Sequence, residues 1–495
     1  MKNSHNKSLV LLFLVGVCLS ISQFIMIRDF VTILYGEEVV IILVTAAFFA
    51  GLSIGYFLSL RFSKKFFSTL FLCTVFLHLT FPFSYRILAV EIARSDLSGY
   101  WYLLLMFFYA LIFSSIFATF LPRLAGQEVP ALSPVEKFRK LYSVELAGFA
   151  VGFVIVGLSW NRGVDFILPI YWALLAVVVH LALHRKGATL AFALIALIAS
   201  ASLTHWDRRT TALLYENKHS LDDATTLLSI NSAYQKVEVM EDGDGERYLY
   251  LDGLLNLNAS DLEDLNFYIA LVPAQLTQPE KALIIGNGTL SSVPKVYPHS
   301  QQVQSVELDS GVLLAGQKFF TPKEDLSALD RWSLTVDDGK HFLKTTPHKY
   351  DLIVMDIPSP LTIQEAILHT VEFYELARSA MTAQGVIAVQ LSGPLQHNNR
   401  TPARVVAALS KVFKEIMVLN SEQADRSFAY ASNQLPFSLQ EVRETTQEHE
   451  EDLEIVSPED VPFYLTKAMP LAVDNLDLVL RRGWERFTNR YFDDD

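Results

Sequence analysis

Seven apolar stretches, each about as long as a bilayer crossing requires, crowd into the first 206 of 495 residues. They run roughly from Leu9 to Ile27, Val39 to Leu60, Phe66 to Tyr85, Gly99 to Leu121, Leu141 to Trp160, Phe166 to Leu183 and Ala188 to Leu203. An α-helix needs about 20 residues to cross the hydrocarbon core, so residues 1–206 are predicted to form a membrane domain of about seven helices. A single water-soluble domain is excluded. Lys2 and Lys7 ahead of the first stretch imitate a signal peptide, but no A-x-A pattern follows and Val15-Gly16-Val17-Cys18 is a poor lipoprotein box. The stretch therefore reads as a retained span.

With 51% hydrophobic and 12% aromatic residues the chain is neither disordered nor collagen-like. Its two cysteines, Cys18 and Cys73, sit in apolar runs and read as small buried hydrophobes, which excludes a disulfide scaffold or a cysteine zinc site. Charge divides the chain. Up to Thr210 there are 17 basic and 10 acidic residues, net +7; beyond it there are 23 and 43, net −20. So acidic a second half argues against nucleic acid as a partner, because phosphate binding needs a basic face.

Within the apolar half, the pairs Gly51/Gly55 and Gly148/Gly152 put two glycines on one helix face and predict close helix packing. Glu145 lies near the start of the fifth stretch, where an ionisable group is either functional or at the interface. With the N-terminus inside, the inner loops hold Lys2, Lys7, Arg61, Lys64, Lys65, Arg123, Lys137, Arg139, Lys140, Arg185 and Lys186, against Arg28, Arg86, Arg94 and Arg162 outside. Basic residues favour the cytoplasmic side, so seven spans place everything after Thr210 on the outer face. If the last short run is no span, that half returns to the cytoplasm.

After Trp206 the composition turns mixed. Gln235–Val239 and Tyr248–Leu251 flank the turn Asp242-Gly243-Asp244-Gly245, which is hairpin chemistry and predicts a small antiparallel β domain over residues 211–275. From 276 to 440, buried-type strands at 282–285, 303–308, 333–336, 352–355 and 386–389 alternate with helical stretches, predicting a parallel Rossmann-like α/β sheet. Residues 441–495 read as an acidic linker and a C-terminal segment ending Asp493-Asp494-Asp495.

Strand one of that sheet runs into Gly286-Asn287-Gly288-Thr289, and Glu307 ends strand two about 21 residues on. In doubly wound folds such a turn lets a ligand approach the backbone, and an acid at that distance accepts ribose hydroxyls. Asp338-Gly339 follows strand three and Asp356 ends strand four, so the features converge on one crevice for an adenosine-type ligand. No metal-ligand pair of histidines, nucleophile elbow, P-loop or kinase signature is present.

These motifs, in this order, resemble the spermidine synthase (polyamine aminopropyltransferase) family, in the subgroup with an N-terminal multi-span membrane region. The resemblance covers Ser232 to Ser392 through Ser232-Ala233-Tyr234-Gln235, Leu251-Asp252-Gly253, Leu283–Gly288, Val306-Glu307-Leu308-Asp309, Asp338-Gly339, Asp356 with Pro360, Phe373-Tyr374 and Gly385–Gln390. In the apolar half, Gln23–Arg28 and Tyr35-Gly36-Glu37 also look like that subgroup. The resemblance implies transfer of an aminopropyl group from decarboxylated S-adenosylmethionine, a co-substrate and not a resident cofactor, to an amine such as putrescine. It further implies that Asp356 is the catalytic acid-base residue. Gly286, Gly288, Glu307, Asp309, Asp338, Gly339 and Gln235 would hold the donor; Tyr234, Gln235 and Ser359 would hold the amine. Partners are then these small molecules and the lipid bilayer, with a homodimer left open.

Three positions depart from the family pattern. Its G-G-G-D-G-G turn has Thr289 in place of the acid facing the donor's amine, its D-x-x-D-P has Ser359 as the second carboxylate, and its Y-H-E reads Phe267-Tyr268-Ile269. Three readings stay open: an aminopropyltransferase with altered amine choice; a transferase using S-adenosylmethionine itself, since Thr289 removes repulsion against a carboxylate; and a non-catalytic membrane protein that kept the fold.

Overall fold

The structure, a computed structural model, describes residues 2–481 except 35–36, 96, 98, 127–132, 160–161, 163, 322–325, 359, 361, 392, 398–399, 422–425 and 448–452. Ser359, Tyr35, Gly36 and the Asp493–Asp495 tail lie outside the described residues. Two compact units emerge among the described residues: those up to Gly245 with Tyr250–Leu254, and Glu246–Leu249 with those from Leu255 onward.

The first unit holds helices α1 (Lys2–Leu34), α2 (Glu37–Leu58), α3 (Lys64–Arg94), α4 (Tyr100–Ala118), α5 (Phe120–Ala125), α6 (Pro134–Leu158), α7 (Val164–Leu183) and α8 (Lys186–Lys218). Among the described residues seven helices are long and apolar enough to cross a membrane, α4 and α5 counting as one. Many of their large apolar side chains stay exposed, among them Phe57, Leu158, Leu190 and Leu197. An apolar helix surface left open in this way suits a lipid surround.

Helix α1 packs on α6 and α2 on α4, and the glycine pairs account for both contacts. A Cβ on Gly148 would lie 2.0 Å from the Phe13 carbonyl oxygen, and one on Gly55 would lie 1.9 Å from that of Ser115. Packing is thus the role of both glycine pairs. Helix α8 runs unbroken past Trp206, where the sequence suggested a boundary, and leads to β1 (Thr225–Asn231) and β2 (Lys236–Glu241), which pair antiparallel from Thr225↔Glu241 to Asn231↔Lys236. With β3 (Arg247–Leu251) and β4 (Leu254–Asn258) they form the small sheet, in the order β1-β2-β3-β4.

The second unit contains an eight-stranded sheet: β5 (Lys281–Gly286), β6 (Gln302–Glu307), β7 (Trp332–Val336), β8 (Tyr350–Asp356), β9 (Met381–Gln390), β10 (Glu415–Ser421), β11 (Arg426–Ser432) and β12 (Leu453–Val456), in the order β12-β10-β11-β9-β8-β5-β6-β7. Strands β5 to β9 are parallel, as their continuous apolar runs predict. Leu283, Ile285, Ile353 and Met355 enter one buried layer, while Ala282, Ile284, Leu352 and Val354 enter the other.

Beyond β9 the sheet turns antiparallel, with β11 pairing β9 and β10 lying between β11 and β12. Sequence patterning had shown only the parallel part. The segment read as an acidic linker supplies β12 and a capped helix at Leu439–Thr445, whose Glu441 is the N3 acid of a capping box with Ser438. Glu441, Glu444, Glu454 and Glu459 are exposed, while Val442, Val456, Leu471 and Leu478 are buried.

Candidate active site

Sheet order fixes where a ligand can sit. From β5 the chain builds outward through β6 and β7, and then returns to place β8 on the other side of β5. The strand order therefore reverses between β5 and β8, and the helices that follow them leave on opposite faces, opening a crevice at the strands' carboxyl ends. Gly286 and Asp356 are register partners there.

The turn after β5 is tightly made. Gly286 has φ +82°, and a Cβ there would lie 2.3 Å from the Asp356 carbonyl oxygen, so only glycine fits. Asn287, also left-handed at φ +57°, donates its backbone N–H to that same carbonyl at 2.8 Å. Gly288 packs on Val312, and its Cβ position is 3.5 Å from Glu307 Oε2. Thr289, at the departing position, donates to Asn287 Oδ1 at 2.8 Å and pairs with Ser291 Oγ at 2.8 Å. Its hydroxyl is spent on the turn. Asn287 Nδ2 is buried and meets no acceptor among the described residues.

Glu307 and Asp356 are the half-buried carboxylates of the crevice. Burial pushes Glu307 up to about 7, with the charges of Asp309 and Asp356 adding to the rise and the backbone N–H groups of Asp309 and Leu308 opposing it. Its Oε1 accepts from Asp309 N at 2.8 Å. Burial also raises Asp356, against the opposing pull of Arg426 and a hydrogen bond from Ser292. Ser292 Oγ lies 3.3 Å from Asp356 Oδ2 and 2.6 Å from Asn266 Oδ1. The Gln390 amide, assigned so that both its ends find complementary partners, donates to Asp356 Oδ1 at 3.2 Å and accepts from the Arg426 guanidinium.

Other expected residues have defined places. Asp309 is buried and caps α9 (Ser310–Phe319), accepting from Gly311 N at 2.8 Å. Asp338 is exposed and caps α10 (Gly339–Thr345), accepting from His341 N at 2.9 Å. Gly339 approaches Ile285 so closely that a Cβ would sit 2.8 Å from its side chain. Tyr234 and Gln235 belong to the first unit, on the turn before β2, where Ser232 Oγ accepts from both backbone N–H groups. Tyr268 and Ile269, replacing family polar groups, are fully buried, and Tyr268 stacks on Phe428 at 5.4 Å.

Sequence reasoning missed several residues. Gln390 meets Asp356, and Arg426 meets Gln390, through the β9/β11 pairing, which no local pattern announces. His369, fully buried, holds the loop after β8 by donating from Nε2 to the Pro358 carbonyl at 3.0 Å; burial lowers it to about 4, so it stays neutral. In the first unit, Arg86 of α3 donates to Asp207 of α8 at 2.5 Å, and Lys236 meets Glu238 at 2.8 Å and Asp207 at 3.7 Å. Arg28 of α1 donates to the carbonyls of Tyr234 at 2.7 Å and Ser232 at 3.5 Å. Glu145 is buried, and its Oε2 accepts from Tyr56 at 3.0 Å.

Among the described residues no group of three or more His, Cys, Asp or Glu is placed to hold a metal ion. An open depression of about 370 Å³, lined by Lys281, Arg331 and Trp332, lies at the amino ends of β5 to β7, away from the crevice.

Residues 266–421 match the model of the spermine/spermidine synthase domain. Over 200 residues the chain is 30% identical to the polyamine aminopropyltransferase of Alkaliphilus metalliredigens, covering 40% of this chain and 70% of that one. Over 195 residues it is 28% identical to that of Thermoplasma acidophilum, covering 39% and 71%. A crystal structure of spermidine synthase in complex with the transition state analogue AdoDATO aligns at 21% identity with a TM-score of 0.40, over 52% of this chain and 88% of that one.

Proposed function

The chain belongs to the polyamine aminopropyltransferase (spermidine synthase) family of transferases, and from that premise we propose that it is a membrane-bound aminopropyltransferase that works at the β5/β8 crevice. The observation that carries this reading is the pairing of Gly286 with Asp356 at the point where strand order reverses. It sets a turn open to backbone approach beside a half-buried carboxylate, with Glu307 against Gly288.

In this reading Glu307 accepts the ribose hydroxyls of decarboxylated S-adenosylmethionine, and Asp338-Gly339 borders the adenine. The acceptor amine must lose its proton before it can attack. Asp356 orients the ammonium and takes one of its protons, and the lone pair so freed on nitrogen forms a bond to the aminopropyl carbon beside the sulfonium. The carbon–sulfur bond breaks, and its electron pair stays on sulfur, leaving neutral methylthioadenosine. Burial makes Asp356 a stronger base than an exposed carboxylate. Holding donor and amine together in one crevice lowers the entropic part of the barrier. Tyr234, Gln235 and Ser359 join this proposal through the family resemblance alone.

The test is methylthioadenosine release by the full-length chain in detergent or liposomes, given decarboxylated S-adenosylmethionine and a panel of amines, with S-adenosylmethionine run beside it. Release from the decarboxylated donor is expected. No release from either donor, with no binding of either, overturns the reading.

One observation favours a second reading. If all seven apolar helices cross the membrane with the basic residues of Arg61–Lys65, Arg123–Lys140 and Arg185–Lys186 inside, the α/β half stands on the outer face, where a non-catalytic domain would need no nucleoside donor. Reporter fusions after Lys218 distinguish the two: a cytoplasmic signal supports the enzyme, and an outer signal with no release supports the second reading.

A further inference from the structure

We infer that Asn266 is a positioning residue for Asp356: acting through Ser292, it lets the Asp356 carboxyl hold on Oδ2 the proton taken from the amine. This deepens the proposed reaction and rests on it. Asn266 ends the short helix Leu262–Asn266, and Ser292 precedes the helical turn Val293–Val296 that follows β5. Both side chains are buried, so their hydrogen bonds must be met within the chain. Asn266 Nδ2 donates to the Leu262 carbonyl at 2.6 Å, which turns Oδ1, an atom that can only accept, toward Ser292. On the other side of Ser292, Oδ2 of an ionised Asp356 can also only accept. Ser292 Oγ stands between the two, 2.6 Å from Asn266 Oδ1 and 3.3 Å from Asp356 Oδ2, and it carries one hydrogen.

One hydrogen serves one acceptor at a time. While Asp356 is ionised, the Ser292 hydrogen is drawn to the charge on Oδ2, and Asn266 Oδ1 has no other donor among the described residues. Once Oδ2 carries a proton, it donates to Ser292 Oγ, and the Ser292 hydrogen turns to Asn266 Oδ1 at the shorter distance. Each group of the three is then matched, so the set is complete only when Asp356 is protonated. Oδ1 offers no such partner: it accepts from the Gln390 amide nitrogen at 3.2 Å, which has no lone pair to receive a hydrogen in return. The ammonium's proton therefore rests on Oδ2, and Ser292 keeps its own hydrogen and only redirects it. Two charged groups also act on Asp356. Arg426 of β11 favours its ionised form, and the Glu307 carboxylate of β6 and that of Asp356 disfavour each other's ionisation. Neither works by way of Asn266, so both influences are common to the parent and to the variants that test the inference.

The experiment is kcat against pH for the full-length protein, at saturating decarboxylated S-adenosylmethionine and with an amine from the panel that supports release. Saturation with donor keeps the titration of Glu307 out of the profile. Asn266→Leu removes the acceptor that the protonated state needs and so favours the ionised form. The acid limb should move to lower pH by about 0.5 to 1 unit, with affinity for methylthioadenosine unchanged. Where Asn266→Leu does not fold, Asn266→Ala removes the same acceptor and is read in its place. In a Ser292→Ala background the Asn266 substitution should leave the limb where Ser292→Ala alone puts it, because it acts through the hydroxyl. Ser292→Thr, which retains a hydroxyl, should keep the parental limb. A limb that stays put in the Asn266 variant, or that moves as far without the Ser292 hydroxyl, overturns the inference and leaves the transferase reading standing. A parent that releases methylthioadenosine with no amine overturns both.

Discussion

Each unit buries a cluster of ionisable groups, and the two clusters are wired differently. In the first, Arg86 and Lys236 meet Asp207 and Glu238 directly, at 2.5 to 3.7 Å, and Thr210, Thr211, Tyr215 and Ser229 add further hydrogen bonds. Burial pulls the Lys236 ammonium down, as does nearby Arg86, but Asp207 and Glu238 hold it above the ordinary lysine range. In the second, among the described residues, Asp356 and Glu307 have no cation within ion-pair distance; neutral donors from Ser292, Gln390 and the Asp309 backbone hold them. Buried charges that neutralise one another fasten elements together. Buried carboxylates held only by neutral groups keep a raised proton affinity for a substrate to use.

The comparison breaks first if the Arg86 cluster can be dismantled without harm. Arg86 also lies 3.9 Å from Asp29, so Arg86→Met leaves Asp207 and Asp29 with one fewer cation in a dry junction, and removing one partner of such a pair costs about 3–5 kcal/mol. Unfolding of the full-length protein in detergent should register that loss. A variant as stable as the parent would show the cluster to be dispensable. For the same reason, a fragment starting at Thr211 loses Arg86 and Asp207 together and should be poorly folded, although composition marks that point as a boundary.

A somewhat smaller effect is expected at the helix contact that joins α1 to α6. Gly148→Ala drives a methyl group into the Phe13 carbonyl and should cost ~1–3 kcal/mol, because packed helices yield little. Donor binding at the crevice should be left as it was, which the same titration in both proteins would check.

The second cluster is sharpened by pH. Glu307 must be ionised to accept ribose hydroxyls, and its affinity for protons is raised to about 7. Donor affinity should therefore be flat above about pH 8 and fall by about tenfold per unit below pH 7, the slope of a single proton. Calorimetric titration with methylthioadenosine, which binds without reacting, reads this directly. Glu307→Gln should bind more weakly and show no such slope; a parent whose affinity stays constant from pH 6 to 8 would remove Glu307 from the donor site.

Much of the α/β half was legible because its information is local. Buried strands announce themselves as apolar runs such as Leu283–Ile285 and Leu352–Met355, and residues just past their ends must line the crevice, so Glu307 and Asp356 could be named from strand ends alone. Asp309 and Asp338 were equally visible, but an aspartate before a helix also caps it, and the sequence could not show that role. What stayed hidden depends on pairing between distant segments. Arg426 reaches Gln390, and through it Asp356, because β11 runs antiparallel to β9, with Phe428 opposite Gln390. Arg86 and Asp207 are 121 positions apart, on helices whose apolar patterns conceal a charged junction. The acidic stretch after 440 hid β12 because four residues are too few for a pattern to stand out.

In the proposed reaction Asp356 performs the chemistry without holding up the fold. In the full-length protein, Asp356→Asn should release methylthioadenosine about 10²–10⁴-fold more slowly than the parent. It should bind methylthioadenosine as before and be at least as stable, since a neutral amide removes the cost of burying an ionised group. An Asp356→Asn protein that folds, binds and turns over at the parent's rate would contradict the account.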